Sequence, residues 1–280
     1  MAKRPDMTAR RLKQAGLWLL ALLVTAFFAF PIVWMALSSL KSEVDVATYP
    51  PLWIFTPSLH SYRQLFEEMG ALDALINSAI IVGIATCVAM MAGTLAAYAM
   101  ARFDVAGKNV LAFEVLSIRM LPPIVSVIPL FILAKQLGIF DTPILLIAVY
   151  SLSGLPFVVW VMRVFIQEIP QSIEEAALID GCSRYQAFWR ITLPLLLPGL
   201  AATMVIVFMF AWNEFLIASI LTSRDAKTLP IIAASAIKPK AISFGLASAA
   251  GVLMSLPVVI LVLMMQRYLV RGLTLGAVKG

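Results

Sequence analysis

Six apolar runs, each long enough to cross a lipid bilayer, alternate with polar segments along the chain. They cover approximately residues 15–40, 72–101, 110–133, 142–165, 193–221 and 244–265. A transmembrane helix needs roughly 20 predominantly apolar residues. Only 13% of the 280 residues are charged, about half the share found in soluble domains, so lipid must solvate much of the surface. The sequence predicts an all-α integral membrane protein with six transmembrane helices in one domain, 1–280.

The distribution of Lys and Arg orients these spans. Six crossings put both termini on one side, and placing them inside gives that side thirteen of the 21 basic residues. The prediction is then cytoplasmic tails at 1–14 and 268–280, a cytoplasmic polar hairpin at 167–193, and outer segments at 41–72 and 222–243. The first apolar run exceeds the roughly 7–15 residues of a signal peptide, so we interpret it as the first span.

Several chemistries lack the residues that they need. Cys87 lies in an apolar run, Cys182 lies in the hairpin and His60 is the single histidine, so we expect no metal site. The pair Gly107-Lys108 is followed by Asn and not by the Ser or Thr of a nucleotide-binding loop. Basic residues are scattered and not clustered with aromatics, so we expect no nucleic-acid partner. We also predict no catalytic residues and no cofactor bound by this chain.

The hairpin carries two local signals for the start of a helix. Ser172 is followed three residues later by Glu175, and Ser183 is followed three residues later by Gln186. In this capping box each side chain satisfies a backbone donor at a helix start. Segment 172–194 therefore predicts two short helices between the fourth and fifth spans.

A glycine turn is expected between these two helices. Gly181 sits where a left-handed residue would end the first helix. We predict one helix near Ile173–Asp180 and a second from Arg184 towards Pro194. Ala176 and Ala177 would leave one face of the first helix thin enough to enter a groove on another protein. The alternative is an amphipathic helix lying on the membrane surface.

The hairpin resembles the EAA loop found in inner-membrane permeases of binding-protein-dependent ABC importers. The matching positions are Glu175, Ala176, Ala177, Gly181, Ile191, Leu193 and Pro194. Further likenesses are to the carbohydrate branch of these permeases, with the maltose-type second permease subunit the most similar. They lie at 75–78 (LINS), 96–103 (AAYAMARF), 211–215 (AWNEF) and 272–280 (GLTLGAVKG).

This resemblance implies a function and a set of partners. The EAA residues would form a coupling helix that docks on a cytoplasmic ATPase dimer, which binds ATP and Mg, and the tail residues Gly276 and Lys279 would reach the ATPase interface. Further implied partners are a second permease subunit, a periplasmic or lipid-anchored substrate-binding protein and a sugar-like substrate. The chain would be a non-catalytic, multi-pass subunit in the bacterial inner membrane. Within the hairpin we expect Glu175 and Ala176 to face the ATPase, and Glu174, Asp180 and Arg184 to be solvated.

Arg119 lies about ten residues into the third apolar run. A charge at such depth is expensive, so by default it faces a cavity or a partner. Arg119 could line the translocation path and donate hydrogen bonds to substrate. It could equally pair with Glu114 or extend its head group to the cytoplasmic interface.

A polar pair near the outer end of the fifth run raises the same question. Asn213 and Glu214 follow Trp212, and aromatic faces combined with polar groups are typical of small-molecule sites. We predict these three residues on the substrate path, although hydrogen bonds to a partner subunit are an alternative.

A secondary transporter or channel working without an ATPase is the competing function. Ion coupling would require buried carboxylates in the spans. Only Glu214 is a clear candidate, so the sequence favours the ATP-driven importer.

Overall fold

A computed structural model describes residues 7–104, 106–238 and 241–275. In this part of the chain the structure is helical almost throughout, as predicted. The helices are α1 (Met7–Ser39), α2 (Glu43–Ala47), α3 (His60–Arg63, continued by a π-helical turn at Gln64–Glu68), α4 (Ala71–Arg102), α5 (Lys108–Ile118), α6 (Pro123–Gln136), α7 (Pro143–Glu168), α8 (Gln171–Ile179), α9 (Arg184–Ala187, continued by a π-helical turn at Phe188–Thr192), α10 (Leu193–Leu195), α11 (Leu197–Trp212), α12 (Leu216–Leu221), α13 (Leu229–Ser235) and α14 (Phe244–Leu275).

A short hairpin of two strands interrupts the helical pattern in the predicted outer loop 222–243. The strands β1 (Ile237–Lys238) and β2 (Ala241–Ile242) pair antiparallel. Each strand has only two residues, so the all-α class is retained. This pair of β-strands was not predicted.

Four helices in the described residues are long and apolar enough to cross a membrane. They are α1 (from Lys13), α4, α7 and α14 (to Tyr268). A fifth candidate is the bent pair Arg184–Leu195 and Leu197–Trp212, whose two parts meet at 73°. The remaining predicted run, 110–133, which is the third in chain order, is divided between α5 and α6.

Helix breaks in two of the predicted spans have local causes. Between α5 and α6, Pro122 and Pro123 remove backbone donors, and Pro123 then starts α6 as its first residue. Between α11 and α12, residues 213–215 leave the helix, and the carboxylate of Glu214 accepts the backbone amides of Ile217 and Ala218 at 2.8 and 3.1 Å.

The chain divides into two compact units. The first contains the residues up to Met69 together with Ala236–Leu253. In it, the buried Lys41 donates from Nζ to the carbonyl oxygen of Leu52 at 2.7 Å and lies over the ring of Trp34 at 4.4 Å. This pairing satisfies a charge that would otherwise be costly to bury.

The second unit, Gly70–Ser235 with Met254–Gly280, is built around α4 and α7. Small residues at a helical spacing of three or four let these helices approach closely. The buried small residues of α4 are Ala71, Ala74, Ser78, Ala85, Ala89, Gly93 and Ala97. At Gly93 a Cβ atom would lie 2.6 Å from Cγ1 of Val158, so the contact depends on glycine.

Candidate functional site

The hairpin predicted at 167–193 is present as α8, the Gly181 turn, α9 and α10. These elements cover residues 171–195, and from here on the name hairpin refers to them. Ser183 and Gln186 form the predicted capping box, with the Ser183 amide donating to Gln186 Oε1 at 2.8 Å and the Gln186 amide to Ser183 Oγ at 3.2 Å. The box predicted at Ser172 is wrong. Pro170 is the N-cap of α8, so Ser172 already lies inside the first turn, where its hydroxyl cannot cap.

Gly181 ends α8 in the left-handed conformation, with φ +87°. The amide of Gly181 donates to the carbonyl oxygen of Leu178 at 3.1 Å, and the amide of Cys182 donates to that of Ala177 at 3.0 Å. These two bonds form the Schellman motif, which satisfies carbonyls that the helix leaves open. The prediction of a glycine turn at this position is confirmed.

The seven EAA-type residues do not share one surface. Glu175, Ala176, Gly181 and Pro194 are exposed, and Ile191 and Leu193 are half-buried. Ala177 is buried, at 6% exposure. The expectation that Ala176 and Ala177 together leave a thin outer face is therefore wrong, because helical spacing turns Ala177 toward the body of the chain.

Glu174 is also buried, at 7% exposure, so the expectation that it is solvated is wrong. Its Oε1 accepts Arg102 Nε at 2.8 Å and Thr192 Oγ1 at 2.9 Å, and its Oε2 accepts the hydroxyl of Tyr98 at 2.9 Å. We call these four residues the Glu174 cluster. Asp180 is exposed as expected, and Arg184 is exposed but holds its guanidinium 5.3 Å from the ring centre of Phe103.

A second candidate site is a cavity of about 360 Å³ lined by α6, α7, α11, α12 and the segments that join α5 to α6 and α11 to α12. Its volume falls within the range usual for small-molecule pockets. The polar groups around it come from Arg119, Ser126, Tyr150, Ser153 and Glu214.

Arg119 lies in the break between α5 and α6 and enters this cavity. Its guanidinium carbon lies 4.6 Å from the ring centre of Phe210 and 5.3 Å from that of Phe157, and Nη1 donates to the carbonyl oxygen of Ser153 at 3.4 Å. In the described part of the chain Arg119 forms no ion pair, so the predicted alternative of pairing with Glu114 does not occur. Among the described residues, the other guanidinium nitrogens of Arg119 have no hydrogen-bond acceptor.

Glu214 is the second predicted path residue that lines the cavity. Its Oε2 accepts the hydroxyl of Tyr150 at 3.0 Å while the same carboxylate caps α12. Tyr150 was not predicted. The hydroxyls of Tyr150, Ser151 and Ser153 interrupt an apolar span, which is the signal that could have identified it.

The other two predicted path residues are not part of the cavity lining. Trp212 is 1% exposed, stacks on Phe208 at 5.5 Å and donates from Nε1 to the carbonyl oxygen of Met254 at 2.9 Å, so it belongs to the core. Asn213 is exposed and donates back to the carbonyl oxygen of Met209 at 2.8 Å. They do not line this cavity, because the helix breaks at residues 213–215 and of these three residues only Glu214 reaches it. Their place on the substrate path stays a prediction. The tail residues Gly276 and Lys279 lie outside the described residues.

Polar contacts also fix the loop that follows α12. Asp141 accepts four successive amides, those of residues 223–226, at 2.8 to 3.1 Å. Burial opposes ionisation of this carboxyl, but the four amides outweigh it and hold the pKa of Asp141 below its ordinary value. Asn77 donates to the carbonyl oxygens of Asp225 and Lys227, so the start of α4 holds the same loop.

Comparison with known proteins bears directly on these features. Residues 89–275, two thirds of the chain, match the family described as binding-protein-dependent transport system inner membrane component. The chain belongs to this family. Because the family consists of membrane transport subunits, the predictions of a permease and of a non-catalytic subunit are confirmed.

Relatives match this permease over nearly its whole length. It is 38% identical to the probable ABC transporter permease protein y4oR of Sinorhizobium fredii, covering 100% of this chain and 99% of the relative. It is 37% identical to the trehalose transport system permease protein SugB of Mycobacterium tuberculosis, covering 98% and 100%. It is 32% identical to the sulfoquinovosyl glycerol transport system permease protein SmoH of Agrobacterium fabrum, covering 90% and 89%.

A solved structure shares the fold of the permease. This is a chain of a bacterial ABC transporter involved in the import of the acidic polysaccharide alginate, with a TM-score of 0.73. The match covers 96% of this chain and 100% of the other at 18% identity. The ABC permease fold expected from the resemblance is therefore confirmed.

Proposed function

We propose that this permease is one of two transmembrane subunits of an ATP-driven importer for a sugar or sugar derivative. The chain belongs to the transport family, and it carries a two-helix hairpin on which Glu175 and Ala176 are exposed and open to a partner. This exposed edge is the observation that carries the proposal. The names of two of these relatives support the substrate class, since they specify trehalose and sulfoquinovosyl glycerol.

The proposed topology has six crossings with both termini in the cytoplasm of a bacterial cell. Helices α5 and α6 together form the third crossing, and α11 and α12 together form the fifth. Each pair is broken at a polar residue, Arg119 or Glu214, that lines the cavity. Broken helices are tolerated at membrane depth where they line a cavity. This topology places the hairpin inside and the loop held by Asp141 outside.

The hairpin is the proposed docking element for a cytoplasmic ATPase dimer that binds ATP and Mg. Glu175 and Ala176 are the proposed contacts, because they are exposed on α8, whereas the adjoining Ala177 is buried. The tail residues Gly276 and Lys279 are proposed to reach the same ATPase interface. Closure of the ATPases would then move the hairpin as a rigid body and alternate the access of the cavity.

The cavity is the proposed portion of the substrate path. Arg119 supplies donors, Glu214 supplies acceptors, and Phe157 and Phe210 supply aromatic faces beside them. A sugar ring presents hydroxyls that both donate and accept, together with apolar ring faces, so this combination suits it. A second permease subunit would supply the opposite wall, and a periplasmic or lipid-anchored binding protein would deliver the substrate.

Reconstitution tests the coupling role. The permease, a second permease, the ATPase and the cognate binding protein are assembled in liposomes, and uptake and ATP hydrolysis are measured together. Glu175→Lys is expected to lower uptake per ATP while the complex still assembles. The matched control is Asp104→Lys, which makes the same charge change in the exposed turn after α4. Uptake without the ATPase, or full coupling in Glu175→Lys, would reject the proposal.

The cavity is tested by Arg119→Leu, with Arg119→Lys as the charge-retaining control. We expect Arg119→Leu to reduce uptake and leave assembly intact, because the guanidinium has no ion pair in the described residues. Loss of assembly would show instead that Arg119 has a structural role. Thermal-shift screening of the cognate binding protein against sugars then identifies the substrate.

A further inference from the structure

A buried ion pair joins the end of α4 to the hairpin. Arg102 Nε lies 2.8 Å from Glu174 Oε1, and the two side chains are only 6% and 10% exposed. Removing two charges from water is expensive, and their attraction offsets the cost only when the geometry is good and the remaining polar atoms are bonded. The buried pair can therefore be stable only if the other polar atoms of both side chains also have partners.

The Glu174 cluster meets that condition fully. Both Glu174 oxygens are occupied, by Arg102 and Thr192 on one and by Tyr98 on the other. Arg102 also donates from Nη2 to the carbonyl oxygen of Ile169 at 2.8 Å, where α7 ends. The carboxylate of α8 thus joins α4 and the π-helical turn after α9, and Arg102 links the end of α7 to the same cluster.

Aromatic packing covers the cluster on one side. The ring of Tyr98 lies 4.7 Å from that of Phe188 in the π-helical turn and 6.1 Å from that of Phe103 at the end of α4. Arg184 of α9 lies over the Phe103 ring. These rings exclude water, which strengthens the hydrogen bonds to the Glu174 carboxylate. The hairpin is therefore attached here by directional bonds as well as by apolar packing.

Helix α8 has few other contacts that could fix its rotation. Among its residues only Glu174 and Ala177 are buried, and they lie three positions apart on the same side of the helix. Glu175 and Ala176 lie between them in sequence and point away. Apolar packing of Ala177 and the half-buried Leu178 is not directional, whereas the bonds to Glu174 hold the helix in one orientation.

We propose that Glu174 and Arg102 are positioning residues that set the rotation of α8 and make it move together with α4. This inference rests on the proposed function, in which the exposed edge of α8 docks on the ATPase. The Glu174 cluster is then the joint through which movement of the hairpin reaches the transmembrane helices. Its function is distinct from stability, because it determines which face of α8 the ATPase meets.

The deciding variant replaces both charged residues with apolar ones, Arg102→Met together with Glu174→Met. Replacing a buried ion pair with apolar side chains of similar volume is often neutral or stabilising, so the complex should assemble. Without directional bonds the rotation of α8 is no longer fixed. We expect basal ATP hydrolysis to persist while uptake per ATP falls at least about fivefold. Coupling equal to wild type in this assembled variant would overturn the inference.

Two milder variants serve if the double variant does not assemble. Tyr98→Phe and Thr192→Val each remove one hydroxyl donor from Glu174, and each should lower uptake per ATP by a smaller factor. The matched control is Ser117→Ala, which removes a hydroxyl whose bond, to the carbonyl oxygen of Phe113, stays within α5. Unchanged uptake per ATP in both hydroxyl variants would equally overturn the inference.

The Glu175→Lys variant separates this inference from the proposed function. If Glu175→Lys is uncoupled while the double methionine variant couples normally, the hairpin docks on the ATPase but the cluster does not position it. If Glu175→Lys also couples normally, the docking role itself fails. Uncoupling in both variants supports both proposals.

Discussion

Substitution of Gly181 by Val tests whether the geometry of the hairpin turn matters for coupling. Gly181 has φ +87°, and no atom of the described residues lies within 4 Å of the position that a Cβ would take. The cost therefore contains no steric clash with neighbouring elements. It comes from the left-handed backbone, which costs a side-chain-bearing residue about 1–3 kcal/mol.

This strain can be relieved only by changing the angle at which α9 follows α8. An energy of 1–3 kcal/mol corresponds to a factor of about 5 to 150 in an equilibrium constant. We expect the fraction of hairpins in the docking geometry to decrease by a factor in that range, and coupled uptake to decrease with it. The transmembrane helices should remain folded, because Gly181 is exposed and contacts none of them.

Uptake per ATP in reconstituted complexes measures the effect. Gly181→Asn is the first control, since Asn tolerates the left-handed conformation and should retain most coupling. Gly83→Ala is the second, because a Cβ at this α4 position also meets open space but the backbone is helical. Wild-type coupling in Gly181→Val would refute the reasoning, as would equal losses in Gly181→Val and Gly83→Ala.

Three further predictions concern stability. The amides of residues 223–226 should lose hydrogen-exchange protection as the pH falls below about 3.8, the ordinary pKa of Asp141. Above that pH the Asp141 carboxylate stabilises the loop fully, and this stabilisation is lost as the pH falls through the lower pKa of the folded state. Asp141→Asn should abolish this pH dependence. Ser183→Ala should destabilise the hairpin by about 1 kcal/mol, measured as faster proteolysis between α8 and α9, with Ser172→Ala unaffected because Ser172 does not cap. Gly93→Ala should lower the free energy of unfolding of the detergent-solubilised permease by about 1–3 kcal/mol, because its Cβ would lie 2.6 Å from Val158 Cγ1. The loss is measured as a lower Tm, and a Tm equal to that of wild type would contradict the packing of α4 on α7.

Local chemistry explains which hairpin features could be predicted from sequence. The Ser183 box and the Gly181 turn depend on residues within five positions of each other, so a short window contains all the partners. The Ser172 box fails because Pro170 competes for the same helix start. With no amide of its own, Pro170 is suited to that boundary, and it shifts the first turn so that Ser172 lies within it.

The position of Glu174 could not be predicted from its neighbours. Its partner Arg102 is 72 residues away in sequence, and only the packing of α4 against the hairpin brings them together. A complementary signal was available, since one acid and one base lie at predicted cytoplasmic ends of separate spans. Nothing in the sequence, however, distinguishes Glu174 from the exposed Glu175 beside it.

Glu214 shows why depth and direction inside a membrane span need the structure. Sequence grouped it with Trp212 and Asn213, yet only Glu214 lines the cavity, because the helix breaks at residues 213–215. The break releases the amides at the start of α12, and the Glu214 carboxylate accepts two of them. The same carboxylate accepts the hydroxyl of Tyr150 at the cavity wall. Its charge is thus already stabilised by three donors, whereas Arg119 across the same lining has one weak acceptor. In the proposed substrate path a ligand would therefore gain more from acceptors placed at Arg119 than from donors placed at Glu214.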